Sequence, residues 1–267
     1  MTESLDQEAT VSGQLLKAAK EANAGEVFYL ITKHDPKSID PEIFNWAVTS
    51  FSIPIIILLL ERYPAMLNWT YDHLGTPLMI ACISRGPPVF VKFLLESGAD
   101  ANLVPATVDN TAMQMVVTYY QDLGQCIEII DLLWRFGARM DGDVLAWAAH
   151  LGRVDVMYHL LTLGVTQERD PMWMRRIQPK EQLALHAAAQ AGHCSVVLEL
   201  LLFSVDVNCR NGRNLTAMEI AQHIERAGNN ITLLKYVLAF WRRREVNYGL
   251  TSIWARISES TATIDGS

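Results

Sequence analysis

Apolar residues cluster in recurring runs, and in the clearest copy the run follows an alanine-rich stretch and a glycine. The segment from Leu185 to Asn208, LHAAAQAGHCSVVLELLLFSVDVN, shows this order clearly. Its second half is apolar on a wide face, as expected of a helix packed between neighbours on both sides. The small alanines of its first half allow neighbouring helices to approach closely. The pattern therefore predicts two helices joined by a short glycine turn.

The same pattern recurs along most of the chain. Related segments begin near Leu15, Ile43, Leu74, Thr111, Leu145 and Asn211. We take the position of His186 as the reference position of the repeat. Its equivalents are Leu16, Asn45, Met79, Gln114, Ala146, His186 and Glu219. The intervals are 29, 34, 35, 32, 40 and 33 residues, about 34 on average. A period of this length indicates a repeat architecture.

Several motifs recur together and resemble the ankyrin repeat, a turn and two antiparallel helices of about 33 residues. Thr76-Pro77-Leu78 matches the Thr-Pro-Leu-His of that family, and residues 98–102, GADAN, match its closing Gly-Ala-Asp-Val-Asn. Gly152 and Gly192 match the glycine between the helices, whereas Gly86 is displaced by one residue. The resemblance implies an all-α ankyrin-repeat solenoid of about seven degenerate helix-turn-helix repeats. We expect a polar N-terminal segment (1–12), the repeat domain (13–245) and a C-terminal cap with a disordered tail (246–267).

Glycine and proline positions predict where helices begin and end. Thr76-Pro77 has the composition of a helix start, and Pro54 and Pro87-Pro88 fall in the first turn of second helices. Second helices are expected to close on a left-handed glycine at Gly98, Gly137 and Gly164. Ser204 stands where another repeat would have this glycine.

The two histidines of the LALHAAAQAGH segment are expected to be structural. His186 matches the histidine that, in the family, typically bonds turn backbone between repeats, and His193 belongs to the Gly-His turn. Cys194 follows directly, but sequence neighbours on a turn rarely face one another as a nucleophile and its base. The nucleotide-binding, hydrolase and zinc-peptidase motifs are missing from the sequence. We therefore predict a protein that is not an enzyme and has no cofactor or metal.

Composition narrows the possible partners. The chain of 267 residues has a formal net charge of −7, which disfavours direct binding to nucleic acid. Its longest strongly apolar run, Ile53–Leu60, is far shorter than the roughly 20 residues that span a bilayer. The four cysteines form no C-x-x-C pair. We expect an intracellular monomer, in the nucleus or the cytoplasm, that binds neither membrane nor DNA. The arginines at 242–244 are expected to favour a helix end, with a nuclear-import or nucleic-acid patch as the alternative.

The longest interval contains an insertion at Thr166–Gln182, TQERDPMWMRRIQPKEQ. Met172 and Trp173 lie there beside Arg175 and Arg176, residue types that are enriched in the centres of protein interfaces. Two interpretations remain open: the insertion anchors a partner, or Trp173 folds back onto the stack. A second candidate binding patch is formed by two aromatic residues near the end of another first helix, Tyr119 and Tyr120.

Function follows from the resemblance more than from any single residue. Ankyrin repeats imply a non-catalytic protein–protein interaction module, and small free-standing ankyrin proteins include transcription coregulators, some in the control of specialised-metabolite gene clusters. We expect this role, with a DNA-binding transcription factor as the partner. The alternatives are a cytoplasmic scaffold or enzyme inhibitor, and an enzyme whose pocket forms where the insertion folds over the groove.

Overall fold

The computed structural model describes residues 2–71, 74–108, 110–140, 142–168, 184–203, 205–226, 234–235 and 237–239. Within these ranges the chain is all-α, with no β-strand and an isolated bridge between Tyr71 and Gly75. Two compact units divide at Arg139–Met140, and each is described by itself. The predicted C-terminal cap and tail, 246–267, lie outside the described residues.

The first unit contains four helix pairs. They are α1 (Thr2–Lys20) with α2 (Ala24–His34), α3 (Pro41–Thr49) with α4 (Ile53–Arg62), α5 (Pro77–Ile83) with α6 (Pro88–Glu96), and α7 (Ala112–Tyr119) with α8 (Leu123–Arg135). A short 3₁₀ helix, Pro64–Asn68, follows α4. The first helices α1, α3, α5 and α7 pack in sequence, as a stack of repeats requires. α1 begins at Thr2, so the predicted polar N-terminal segment forms the first part of this helix.

The second unit repeats the arrangement. Its pairs are α9 (Gly142–His150) with α10 (Val154–Glu168) and α11 (Ala184–Ala191) with α12 (Cys194–Leu202), followed by α13 (Ala217–Arg226). The first helices α9, α11 and α13 pack in sequence, and α10 packs against α12. The core lies between the two layers of helices, where branched side chains such as Val156, Leu160 and Val197 are fully buried.

First helices begin with side-chain caps. Thr76 accepts a hydrogen bond from the amide of Met79 at the start of α5. Thr111 and Gln114 form a reciprocal capping box, as Thr216 and Glu219 do. Gln114 and Glu219 occupy the reference position of their repeats. In these two repeats, the residue that replaces histidine therefore stabilises the start of its own helix.

Most described first helices end in one repeated turn. A left-handed residue follows the helix at Ala22, Phe51, Arg85, Gly152 and Gly192, with φ of 52°, 53°, 58°, 70° and 79°. The next amide donates to the carbonyl five residues earlier, which belongs each time to a buried alanine, over 2.8–3.2 Å. This is the Schellman arrangement. Arg85 therefore takes the left-handed position in its repeat, which explains why Gly86 is displaced by one residue.

Second helices close on glycine at two of the three predicted positions. Gly98 has φ of 100° and Gly137 has φ of 82°, which confirms the prediction for both. The prediction for Gly164 is wrong, because α10 continues through it to Glu168. The connection to the next repeat is longer here than elsewhere, so the chain need not turn at this glycine. Ser204 lies outside the described residues.

Asparagine side chains join consecutive repeats in the first unit. Asn68 donates to the carbonyl of Gly98 and accepts from the amide of Asp100, at 3.2 and 2.8 Å. Asn102 does the same with Gly137 and Arg139, at 2.8 Å each. Each asparagine thus satisfies the closing turn of the following repeat. These bonds fix the turns that border the first helices.

Candidate functional site

His186 is part of the packing between repeats. Its side chain is buried, and Nε2 lies 2.9 Å from the carbonyl oxygen of Leu215, to which it must donate. Burial lowers the pKa of His186 below its ordinary value, against the opposing effect of its backbone hydrogen bonds to Leu215 and Cys209. The predicted structural role of His186 is confirmed.

His193 forms the corresponding contact at the turn. Its Nε2 lies 3.0 Å from the carbonyl oxygen of His150, one repeat earlier. The imidazole ring covers Gly152 so closely that a Cβ there would lie 2.6 Å from Cε1. Gly152 is therefore required both by its left-handed backbone and by the ring of His193. This contact confirms a packing role for His193.

In the first unit, the exposed side of the first helices carries a tryptophan. Trp46 follows the reference position of its repeat and is 37% exposed on α3. Its indole N–H donates to Glu42 over 3.1 Å, and the ammonium group of Lys20 lies 4.9 Å from the ring centroid. These contacts hold the indole in one orientation while leaving part of it accessible.

In the second unit, a tryptophan occupies the equivalent repeat position. Trp147 follows the reference residue Ala146 and is also 37% exposed, with its ring 6.2 Å from that of His150. Leu151, at the end of the same helix, is 37% exposed as well. Trp147 and Leu151 thus both leave part of their apolar side chains exposed near the end of α9.

A cleft of about 690 Å³ lies further along the second unit, between first helices and a turn. Its lining residues come from the end of α11, the turn before α13, and α13 itself: Gln190, Asn211, Gly212, Arg213, Leu215, Ile220, His223 and Ile224. Gln190 and His223 stand four residues after the reference position of their repeats, as His150 does on α9. The cleft therefore lies on the side of the helices that presents Trp147 and His150.

Tyr119 and Tyr120 do not form one patch. Tyr119 is 40% exposed, whereas Tyr120 is 1% exposed and donates its hydroxyl proton to the carbonyl oxygen of Gly86 over 2.6 Å. The interpretation of Tyr120 as a binding residue is therefore corrected, because its hydroxyl joins two consecutive repeats. Burial raises the pKa of this phenol far above its ordinary range. Tyr119 stays a candidate.

The other predicted binding residues, Met172, Trp173, Arg175 and Arg176, lie outside the described residues. The structure brings forward Trp46 and Trp147, which the sequence analysis did not single out. A signal for them was present, since each directly follows the reference position of its repeat. This signal is weak, because the same position holds the buried residues Ile80 and Met115 in two other repeats.

No cluster of histidine, cysteine and carboxylate side chains that could hold a metal occurs in the described part of the chain. Burial raises the pKa of the Cys82 thiol to about 12, so this thiol stays protonated and is a poor nucleophile. Among the described helices, none is long and apolar enough to cross a membrane.

Two family models match the sequence. The ankyrin repeat model matches residues 74–105, and a model described as ankyrin repeats in many copies matches residues 175–221. No curated protein matches the chain by sequence.

Solved structures share the fold. The human ASB11 ankyrin repeat domain superposes with a TM-score of 0.63 at 22% identity, over 84% of this chain and 96% of that one. The ankyrin repeat domain of Bcl-3, described as a unique member of the IkappaB family, has a TM-score of 0.60 at 21% identity, over 83% and 97%. A chain of the Bdellovibrio bacteriovorus complex between the predatory endopeptidase Bd0816 and immunity protein Bd3460 has a TM-score of 0.54 at 20% identity, over 72% and 96%.

The paired helices, the recurring turns and these matches define the ankyrin class of repeat fold. The chain contains ankyrin repeats, which the family models match at residues 74–105 and 175–221, and its described residues have the ankyrin-repeat fold. Ankyrin repeats are protein–protein interaction modules, and this is the class of function that the fold indicates.

Proposed function

We propose that the protein binds another protein through the exposed side of its first helices. The observation that carries the proposal is the pair Trp46 and Trp147, at one repeat position in two units and each 37% exposed. Tryptophan is enriched among the residues that dominate binding energies at interfaces. Leu151 and Tyr119 add apolar surface at the ends of first helices.

The insertion is proposed as a second element of the same interface. Trp173 would supply a buried anchor, flanked by Met172, Arg175 and Arg176. In ankyrin proteins, connections between repeats border the exposed side of the first helices. The length of this connection and its residue types support the proposal.

The partner is proposed to be a DNA-binding transcription factor, which makes the chain a nuclear coregulator. In a narrower form of the proposal, the genes that it controls form a specialised-metabolite cluster. The net charge of −7 favours contact with a protein bound to DNA over contact with DNA itself.

Retention of partners from native cells tests the proposal. The wild-type chain, Trp147→Ala and Phe28→Ala are immobilised, and captured proteins are identified by mass spectrometry. Phe28 is the matched control because it is a 56% exposed aromatic residue on a second helix, α2. Trp147→Ala is expected to weaken binding of the captured partner by about 2 kcal/mol, and Phe28→Ala by much less.

The identity of the captured protein decides the finer role. A transcription factor supports the coregulator. A metabolic enzyme or protease would instead support the inhibitor alternative, for which the endopeptidase–immunity protein complex is the structural parallel. Equal retention by Trp147→Ala and the wild-type chain would show that binding does not use the exposed side of the first helices.

A further inference from the structure

The turn before α13 is held in one conformation by a single side chain. Oδ1 of Asn211 accepts hydrogen bonds from the amides of Arg213 and Leu215, at 2.9 and 3.0 Å. The amide of Asn211 donates to the carbonyl of Leu215 over 3.0 Å, and the amide of Asn214 donates to the carbonyl of Asn211 over 2.8 Å. The backbone that carries Arg213 is therefore fixed before any ligand arrives.

The charges around this turn leave one arginine available. Arg210 is engaged by the carbonyl of Asn214 and by the carboxylate of Glu219, at 2.6 and 3.3 Å. Glu219 also caps α13 by accepting from Thr216. Arg213, in contrast, is exposed, and no carboxylate of a described residue lies within ion-pair distance of its guanidinium group.

The lining of the cleft combines this cation with an apolar floor. Leu215, Ile220 and Ile224 are only partly buried, and they face the same cleft as Arg213. Gln190 adds an amide that can pair with a peptide backbone. The described lining residues include no carboxylate, although the whole chain has seven more acidic than basic residues. The described lining thus combines one arginine with apolar side chains and carries no negative charge.

We propose that this cleft binds an acidic peptide segment of the partner that also carries a large aliphatic or aromatic side chain. A carboxylate pairs with the guanidinium group of Arg213, and the apolar side chain covers Leu215, Ile220 and Ile224. The proposal rests on the function proposed above and adds the chemistry of the partner to it. Charge complementarity selects the partner, and the apolar contact contributes the rest of the affinity.

Fluorescence anisotropy with synthetic peptides tests the proposal on the full chain. The probe is a fluorescein-labelled ten-residue peptide in which aspartates surround one leucine and one phenylalanine. In one control peptide every aspartate is replaced by asparagine, and in the other the leucine and phenylalanine are replaced by serine. We expect the first peptide to bind saturably, with a Kd that rises as salt is added. Each control peptide is expected to have a Kd about tenfold higher or more.

Charge reversal locates the binding site. Arg213→Glu is expected to raise the Kd of the acidic peptide by about tenfold or more. Arg135→Glu is the matched control, because Arg135 is an exposed arginine on α8 of the first unit and its replacement changes the net charge equally. It is expected to change the Kd by less than about twofold, because Arg135 is not among the described lining residues of the cleft and an exposed charge is screened by salt. Circular dichroism verifies that both variants are folded.

Three results would overturn the proposal. They are no binding of the acidic peptide, equal binding of the asparagine peptide, and equal effects of Arg213→Glu and Arg135→Glu. In each case retention of the native partner by the wild-type chain, and its loss in Trp147→Ala, would leave the proposed function standing. The two hypotheses therefore fail in different experiments.

Discussion

Arg85 occupies a backbone conformation that glycine adopts at the same position of two other repeats. Its φ of 58° compares with 70° for Gly152 and 79° for Gly192. The side chain of Arg85 is exposed, so little packing depends on it. Arg85→Gly is therefore expected to raise the free energy of unfolding by about 0.5–1 kcal/mol, because glycine removes the strain of a left-handed residue. Urea denaturation measures the change.

Phe51 provides the control for this argument. It has nearly the same φ, 53°, but its ring packs edge-on against Phe90 with centroids 5.4 Å apart. Phe51→Gly is expected to lower stability, because lost packing outweighs the strain that is relieved. If Arg85→Gly lowers stability as well, relief of backbone strain is not the deciding term at Arg85.

Ser204 is a further position at which glycine is expected to be favoured, and it lies outside the described residues. The amide of Val205 donates to the carbonyl of Leu200 over 3.2 Å, as Ala99 does to Leu94 and Ala138 to Leu133 around the closing glycines. We predict that Ser204→Gly stabilises the protein by about 0.5–1 kcal/mol. A lower melting temperature would show that Ser204 does not need the left-handed conformation.

The buried imidazole of His186 links stability to pH. In the unfolded chain a histidine has a pKa of about 6.5, and burial lowers the pKa of His186 in the folded protein. Below the unfolded pKa, the unfolded chain therefore binds a proton that the folded protein does not, so stability is lost as the pH falls from about 6.5 toward the folded pKa. His186→Gln should lose less stability than the wild type over this interval. Parallel pH profiles from urea denaturation would contradict the prediction.

At the scale of the elements, Tyr120 replaces the left-handed turn that ends other first helices. It follows α7 in an extended conformation. Its hydroxyl donates a hydrogen bond to the carbonyl oxygen of Gly86, in the turn between the helices of the preceding repeat. Tyr120→Phe leaves the Gly86 carbonyl without this donor and is expected to cost about 1–3 kcal/mol of stability. Tyr119→Phe, which alters an exposed neighbour, should change stability by less than about 0.5 kcal/mol. Equal effects in thermal denaturation would show that the bond contributes nothing.

The helix pairs could be predicted from the sequence because their signals are local. Thr76-Pro77 caps the helix that follows it, and Gly98 closes the helix before it, whatever the neighbouring repeats contain. The burial of Tyr120 was not predictable in this way, since its partner Gly86 is 34 residues distant. Gly164 shows the reverse limit, because a glycine permits a left-handed turn without requiring one.

The candidate site was less predictable than the fold. The composition of the insertion, where tryptophan and arginine coincide, predicts a binding site there. Trp46 and Trp147, in contrast, lie within ordinary repeats. Their shared position after the reference residue does not by itself give their exposure, since Ile80 and Met115 are buried at the same position of other repeats. The cleft beside Arg213 required the conformation of a turn that Asn211 holds together, which no spacing rule encodes.

For the molecule as a whole, Trp173 separates the two interpretations of the insertion. As a partner anchor, Trp173→Ala should weaken binding by about 2 kcal/mol and leave the melting temperature nearly unchanged. If Trp173 covers the stack instead, the variant should unfold at lower temperature and bind normally per folded molecule. Both quantities are measured on the same protein, by calorimetry and by affinity for the captured partner. Lower stability with intact affinity would disprove the anchor.

The side-chain hydrogen bonds between repeats have a consequence for how the chain is made. Those of Asn68, Asn102, Tyr120, His186 and His193 join groups 29 to 43 residues apart, about one repeat in each case. Contacts of such short sequence separation close quickly, and they need no distant part of the chain. Each bond can form as soon as the next repeat has left the ribosome. During synthesis from the N-terminus, one repeat can therefore fold after another. Little apolar surface then stays exposed to solvent until synthesis is complete.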